Sequence, residues 1–358
     1  MKSTLRWVLL GLLTLVCIFF LSNIRNAFIS TQPDQIKIMV GSGATLQTIS
    51  EKLPGSQVLD EKAGLLTVPY GKVWDYLGEI MSIKGVFRAA AVPLDHPTIS
   101  WRYYGYSIKE QLQGFLHGDF GKFRSPFNRT EVSVVQELPT MLLRTCTYFI
   151  PGLLMAVGVS LLMAMLAAKW RRIGVFMDGV HALLVGLPDF FLIVLIQLGA
   201  IYATKFLGHY VLLIVQVGNK TPFLIPFLTI ALIPSVTIYG TMRVAISREL
   251  GQDYVVTAQA KGLTRSEVLI SHVLRNVMQD LLAILPKATT LALASMAVAE
   301  AICGIFGLGG FITSPTVQSV SSMSVICMTL ALVAMAFHVL YALLRRRFVI
   351  RTGEAVSQ

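Results

Sequence analysis

Charge is scarce in this chain. Asp, Glu, Lys and Arg supply 14% of its 358 residues while apolar types supply 54%, too little charge to cover a soluble protein of this length. A membrane protein is the default reading. No GxxxxGK[ST] pattern occurs, which excludes ATP hydrolysis by the usual P-loop route, and no Ser/His/Asp or metal-ligand cluster suggests another chemistry. Cysteine is rare too: Cys17, Cys146, Cys303 and Cys327 lie in or at the ends of apolar segments without CxxC or His-partner spacing. They read as small buried hydrophobes, so disulfides and a bound metal are not expected. Internal repeats and low-complexity tracts are lacking.

What the sequence does have is long apolar runs. Six lie near residues 7–23, 144–168, 181–205, 222–244, 281–303 and 323–344, each close to the roughly 20 residues that a helical crossing requires. The first could be a signal peptide. However, Phe19 to Ile24 offers no Ala-x-Ala cleavage site and Cys17 follows Leu15-Val16, so it is kept as a span. The expected fold is an all-α polytopic membrane protein. Pro188, Pro234 and Pro286 fall in the third, fourth and fifth spans and predict kinks suited to a gated path.

Orientation follows from Lys and Arg in the short loops. Lys2 and Arg6 precede the first span; Lys169, Arg171 and Arg172 follow the second; Arg248, Lys261, Arg265 and Arg275 lie between the fourth and fifth; Arg345, Arg346, Arg347 and Arg351 follow the sixth. Both termini and segment 245–280 are thus placed in the cytoplasm. The net charge of +11 is read as topology and attraction to lipid headgroups, not nucleic-acid binding. The predicted organisation is a first transmembrane helix (1–23), an extracytoplasmic region (24–143), a five-helix core (144–344) and a cytoplasmic tail (345–358). Within the external region Gln35–Val40 and Gly64–Pro69 alternate like strands, and Thr45–Leu53 and Lys72–Ile83 look helical, giving a small α/β element. An amphipathic piece, Ile108–Leu116, leads into Gly118-Asp119-Phe120-Gly121 and is expected on the membrane surface.

Segment 248–276 reads as two helices hinged at Gly262. Gly262 can end the first helix in a left-handed conformation. Thr264 with Glu267 makes a capping box for the second, with Leu263 and Val268 at the staple positions. Three charges fall inside spans, Asp189, Lys287 and Glu300, and each is a candidate for the translocation path because a charge in hydrocarbon is costly. Lys287 can snorkel, Glu300 sits near an outer end where water reaches it, and Asp189 is the deepest, with its neighbours Pro188 and Phe190 counted in the same candidate path. Glycines 304, 307, 309 and 310 are expected to let the chain turn tightly between spans five and six.

Some of these residues also resemble a known family. Ala258, Ala260, Lys261 and Gly262, followed by His272-Val-Leu-Arg-Asn276, are similar to the cytoplasmic coupling loop of ABC-importer permeases of the oligopeptide, dipeptide and nickel subfamily. Gly114-Phe-Leu-His-Gly-Asp-Phe-Gly121, Leu138-Pro139-Thr140, Gly186-Leu-Pro188-Asp-Phe190-Phe and Ala299-Glu300-Ala-Ile-Cys-Gly304-Ile-Phe-Gly307-Leu-Gly309 resemble further signatures of that subfamily. Together these stretches cover about residues 100–345 in order.

The resemblance implies a type I importer permease with six transmembrane helices in a bacterial cytoplasmic membrane. Such a chain pairs with a second homologous permease, is fed by an extracytoplasmic solute-binding protein, and is driven by two cytoplasmic ATPases that hold the ATP and Mg. It would bind no cofactor and catalyse nothing itself. Short peptides are the favoured cargo and nickel or nickel chelates the second. The implied ATPase-docking loop comprises Tyr254, Thr257, Ala258, Ala260, Lys261, Gly262, Thr264, Glu267, Arg275 and Asn276. Two departures stand out: Val256 and Gln259 occupy positions where this branch carries arginine, and residues 30–100 show no such likeness. Rival readings are a proton-coupled transporter working through Asp189, Lys287 and Glu300, and a non-transporting membrane sensor.

Overall fold

The computed structural model describes residues 2–29, 33–41, 43–94, 96–124, 131–209, 212–218, 220–314 and 320–348; the expected tail 345–358 lies outside these from residue 349 onward. The chain divides into two compact units, Met1–Leu142 with Gly310–Leu332, and Leu143–Gly309 with Val333–Gln358.

In the first unit, helix α1 (Lys2–Ser22) ends in a 3-10 turn at Ile24–Ala27 that leads into β1 (Phe28–Ile29). There follow β2 (Asp34–Val40), α2 (Leu46–Ser50), β3 (Gln57–Asp60), β4 (Leu65–Val68), α3 (Val73–Ser82), β5 (Val86–Ala91) and β6 (Thr98–Ile99). Strands β2 to β5 form an antiparallel sheet in the order β3-β4-β2-β5, and β1 pairs with β6. Period-two alternation explains β2: Ile36 and Ile38 are buried while Lys37 and Met39 are exposed. The buried face packs on Leu46 and Ile49 of α2 and Leu77 and Ile80 of α3. Thr45 starts α2 with a reciprocal capping box to Thr48. The alanine-rich β5 and the short, half-polar β3 carry little strand signal of their own; pairing with β2 and β4 makes them strands.

Helix α4 (Trp101–Leu116) begins at Trp101 rather than at the expected Ile108, because the Ser100 side chain caps it by accepting from the Tyr103 N–H at 3.3 Å. A short hairpin of β7 (Lys122–Arg124) and β8 (Glu131–Ser133) enters α5 (Val134–Lys169).

The second unit takes up most of α5 and continues with α6 (Arg171–Val185), α7 (Asp189–Leu207), α8 (Leu224–Leu250), α9 (Asp253–Ala260), α10 (Arg265–Val268) and α11 (Leu274–Ile302). Helices α12 (Leu308–Thr313) and α13 (Val320–Phe348) follow. Among the described residues five helices are long and apolar enough to cross a membrane: Val134–Lys169, Asp189–Leu207, Leu224–Leu250, Arg265–Ile302 and Ser322–Arg347. The N-terminal helix contributes a shorter apolar stretch, Leu9–Ser22.

One expected span is corrected. Residues 181–205 are not one kinked helix, since α6 stops at Val185 and α7 starts at Asp189. Pro188 disfavours helical geometry in the residue before it and itself takes φ −64° and ψ 144° as the N-cap of α7. Pro234 and Pro286 do lie inside their helices, α8 and α11. Cys17 is also corrected: it is exposed, whereas Cys303 is buried and Cys146 and Cys327 are half-buried.

Candidate functional site

The segment joining α8 to α11 is built by local hydrogen bonds. Helix α8 ends at Leu250, and after Gly251 and Gln252 the short α9 begins. At the far end of α9 the Gly262 N–H donates to the Gln259 carbonyl at 2.9 Å and the Leu263 N–H to the Ala258 carbonyl at 3.3 Å. This is a Schellman closure, which needs a left-handed residue, and Gly262 has φ +86°. Two residues on, the Thr264 N–H donates to Glu267 Oε2 at 2.7 Å and the Glu267 N–H donates back to Thr264 Oγ1 at 3.4 Å, so the helix restarts at once. A π segment at Leu269–Val273 then joins α10 to α11; such segments mark helices that bend or carry function.

Burial decides which face of this elbow is free. Val255, Ala258, Val268, Leu269 and Val273 are buried with Ala164, Ala167 and Ala168 of α5 and with Met242 and Ile246 of α8. The alanines let backbones approach closely, so the elbow and three long helices share one close-packed core. Arg265 adds a polar tie, donating to the Ala168 carbonyl at 2.8 Å. Thr257, Ala260, Lys261, Gly262, Thr264, Glu267 and Arg275 are exposed. Ala258, expected on the docking surface, instead faces the chain's own core at 7% exposure.

Half-buried Tyr254 and exposed Asn276 both bond back to the chain. Both donate to Glu249 Oε2, at 2.9 and 3.1 Å, while Arg248 bonds Asp280 at 2.7 Å. Burial and the Glu249 carboxylate push the Tyr254 phenol upward from its ordinary pKa. This small network braces α9 and the start of α11 against the end of α8.

The three charges expected in the translocation path are not gathered at one place. Asp189 is the first residue of α7 and accepts from the Ser295 hydroxyl at 2.8 Å; it therefore sits at a helix start rather than deep within one. Phe190 beside it is exposed at 57%, and Lys287 is exposed on α11.

Glu300 is wholly buried, not water-accessible as expected. Its carboxylate accepts from the Thr145 hydroxyl at 2.7 Å, from the Tyr148 hydroxyl and from the Gly309 N–H at 2.7 Å. Thr145 accepts in turn from the Leu308 N–H at 3.1 Å, and Arg144 donates to the Phe306 carbonyl. A Cβ on Gly307 or Gly309 would run into Glu300 or Ala297, so these two glycines serve close approach to a carboxylate. Only Gly304 of the four has a left-handed φ, +60°. Glu300 thus pins the loop after α11 onto α5.

Sequence reasoning missed a second buttress. Asp178 of α6 accepts from Arg243 Nε at 3.1 Å and Nη2 at 3.1 Å, and from the Tyr239 hydroxyl at 2.7 Å. The Arg243 hydrogen bonds hold the Asp178 carboxyl below its usual pKa. No spacing signal links Asp178 to Arg243 because their helices are separated by all of α7.

A family model described as "binding-protein-dependent transport system inner membrane component" matches residues 156–350, more than half of the chain. The dipeptide transport system permease protein DppB of Escherichia coli (strain K12) is 36% identical over 86 residues, 24% of this chain and 25% of the relative. The proteins of that name from Escherichia coli O6:H1 (strain CFT073) and O157:H7 match to the same extent. The match spans about a quarter of the length of these curated relatives.

Proposed function

The chain belongs to the family of binding-protein-dependent transport system inner membrane components, and on that premise we propose that it is the membrane-spanning permease subunit of an ATP-binding-cassette importer of short peptides. The observation that carries the mechanism is the elbow. Its outward residues Thr257, Ala260, Lys261, Gly262 and Thr264 are exposed while its inner face is locked into α5, α8 and α11. A knob built this way transmits displacement instead of absorbing it, because a close-packed core resists deformation. The exposed residues dock on a separate cytoplasmic ATPase. Tyr254, Ala258, Glu267 and Asn276 brace the knob, and Arg275 lies beside it on α11.

The chain crosses the membrane six times, α1 being the sixth crossing, with both termini and the elbow in the cytoplasm and residues 24–143 outside. It pairs with a second, similar permease, works with two ATPases that hold ATP and Mg, and receives cargo from an external solute-binding protein. Pro188, Asp189, Phe190 and Lys287 border the cargo path. Glu300 is reassigned from that path to anchoring, since its buried carboxylate is engaged by the chain itself. Peptide cargo is supported by the likeness to the dipeptide permeases.

The test is recovery of ATPase with the affinity-purified chain, together with uptake of a labelled dipeptide. Proline cannot adopt the φ of +86° seen at Gly262, so Gly262→Pro is expected to abolish both. Unchanged ATPase recovery and uptake would remove the docking role. Uptake that survives ATP depletion but collapses with the proton gradient would replace the reading by a secondary transporter.

A further inference from the structure

Helix α4 has an apolar face that is exposed among the described residues. At about 100° per residue Trp101, Leu112 and Leu116 fall within an arc of roughly 60°, and they are 67%, 50% and 78% exposed. Exposed Arg102 and Lys109 flank this stripe. A face roughly 100° round the helix is engaged with the end of α1. The Tyr104 hydroxyl donates to the Phe20 carbonyl at 2.8 Å, and Gln111 and Ser107 accept from Asn23 and Asn26. The Phe115 ring lies 5.8 Å from that of Phe19.

Tyr104 and Phe115, roughly 16 Å apart along α4 at 1.5 Å per residue, reach adjacent residues of α1, Phe20 and Phe19. Helix α4 therefore lies across the last turn of α1 rather than alongside it. The contacted residues 19–26 span the end of the apolar stretch Leu9–Ser22, so α4 sits at the end of that stretch.

We propose that α4 is an interfacial helix whose Trp101–Leu112–Leu116 stripe enters the lipid headgroup region, with Arg102 and Lys109 drawing anionic phospholipid. Trp at the rim, an apolar stripe and flanking cations are the chemistry of a membrane surface. The proposal rests on the reading that α1 crosses the bilayer.

The experiment reconstitutes the full chain in nanodiscs of mixed phosphatidylcholine and phosphatidylglycerol, with bromine at shallow or deep acyl positions of one lipid at a time. The Trp101 signal is the difference between wild type and Trp101→Phe. The expected result is stronger quenching by shallow than by deep bromines, and stronger by brominated phosphatidylglycerol, with the latter preference lost in Arg102→Gln/Lys109→Gln. No quenching at either depth overturns the proposal and points to a protein partner on this face. Equal quenching by the two lipids overturns the anionic preference. Labelling of Cys17 by a membrane-impermeant maleimide, with Cys17→Ser as control, reports on α1 alone. Labelled Cys17 sinks the α1 reading; unlabelled Cys17 with unquenched Trp101 sinks only the role given to α4.

Discussion

Glu300 shows what a single buried acceptor can organise. Three donors from α5 and the glycine loop converge on its carboxylate, and a buried donor left without a partner costs about 1–3 kcal/mol. Glu300→Ala is expected to lower the thermal midpoint of the purified chain by more than Glu300→Gln, which retains an acceptor and the shape. Gly307→Ala should cost about 1–3 kcal/mol by overpacking against Glu300, read in the same melt; an unaltered midpoint would mean that the loop is not pinned. At Asp178 the sign is set by its depressed pKa. The pairing stabilises above the ordinary carboxylate pKa of about 4 and is lost as pH falls through the lowered value. The stability gap between wild type and Asp178→Asn should therefore close in acid. The gap is small, since Arg243 and Asp178 are 30% and 45% exposed and solvent screens such pairs.

At the scale of the element, the elbow separates stability from recognition. Thr264→Ala removes an N-cap worth about 0.5–2 kcal/mol and is expected to speed hydrogen–deuterium exchange over residues 253–268. Lys261→Ala alters an exposed residue, and such changes stay within about 0.5 kcal/mol, so its exchange should match wild type while ATPase recovery falls. Equal loss of ATPase in both variants with no difference in exchange would show that capping does not rigidify the knob. This element was readable in advance because each of its determinants lies within a few residues. Gly262 closes on Gln259, Leu263 on Ala258, and Thr264 on Glu267. At 186–188 apolarity continues across the break and so predicts a kink; only the Pro188 dihedrals distinguish a helix start from a bent helix.

For the whole molecule the prediction is topological. Cysteine introduced at Lys261 should react with impermeant maleimide from the cytoplasmic side only, and cysteine at Lys62 from the outside only. Reversal of either would invert the reading of the loop charges. The external region follows the same division between local and distant causes. Strand β2 was legible in the alternation of Ile36 and Ile38 with polar or exposed neighbours, whereas β5 owes its conformation to the partner that it pairs with.

Alone, the sequence determined the membrane class, the positions of most of the long apolar helices and the glycine-and-threonine joint of the elbow, because hydropathy, capping and left-handed turns depend on near neighbours. The tertiary structure decided that Ala258 faces the core, that Tyr254 and Asn276 tie the elbow to Glu249, that Glu300 is sealed among donors from α5 and the glycine loop, and that Asp178 meets Arg243. Most of those pairings join residues tens to more than a hundred positions apart or depend on which side of a helix is covered, and burial on such a scale is a property of packing that no local pattern encodes.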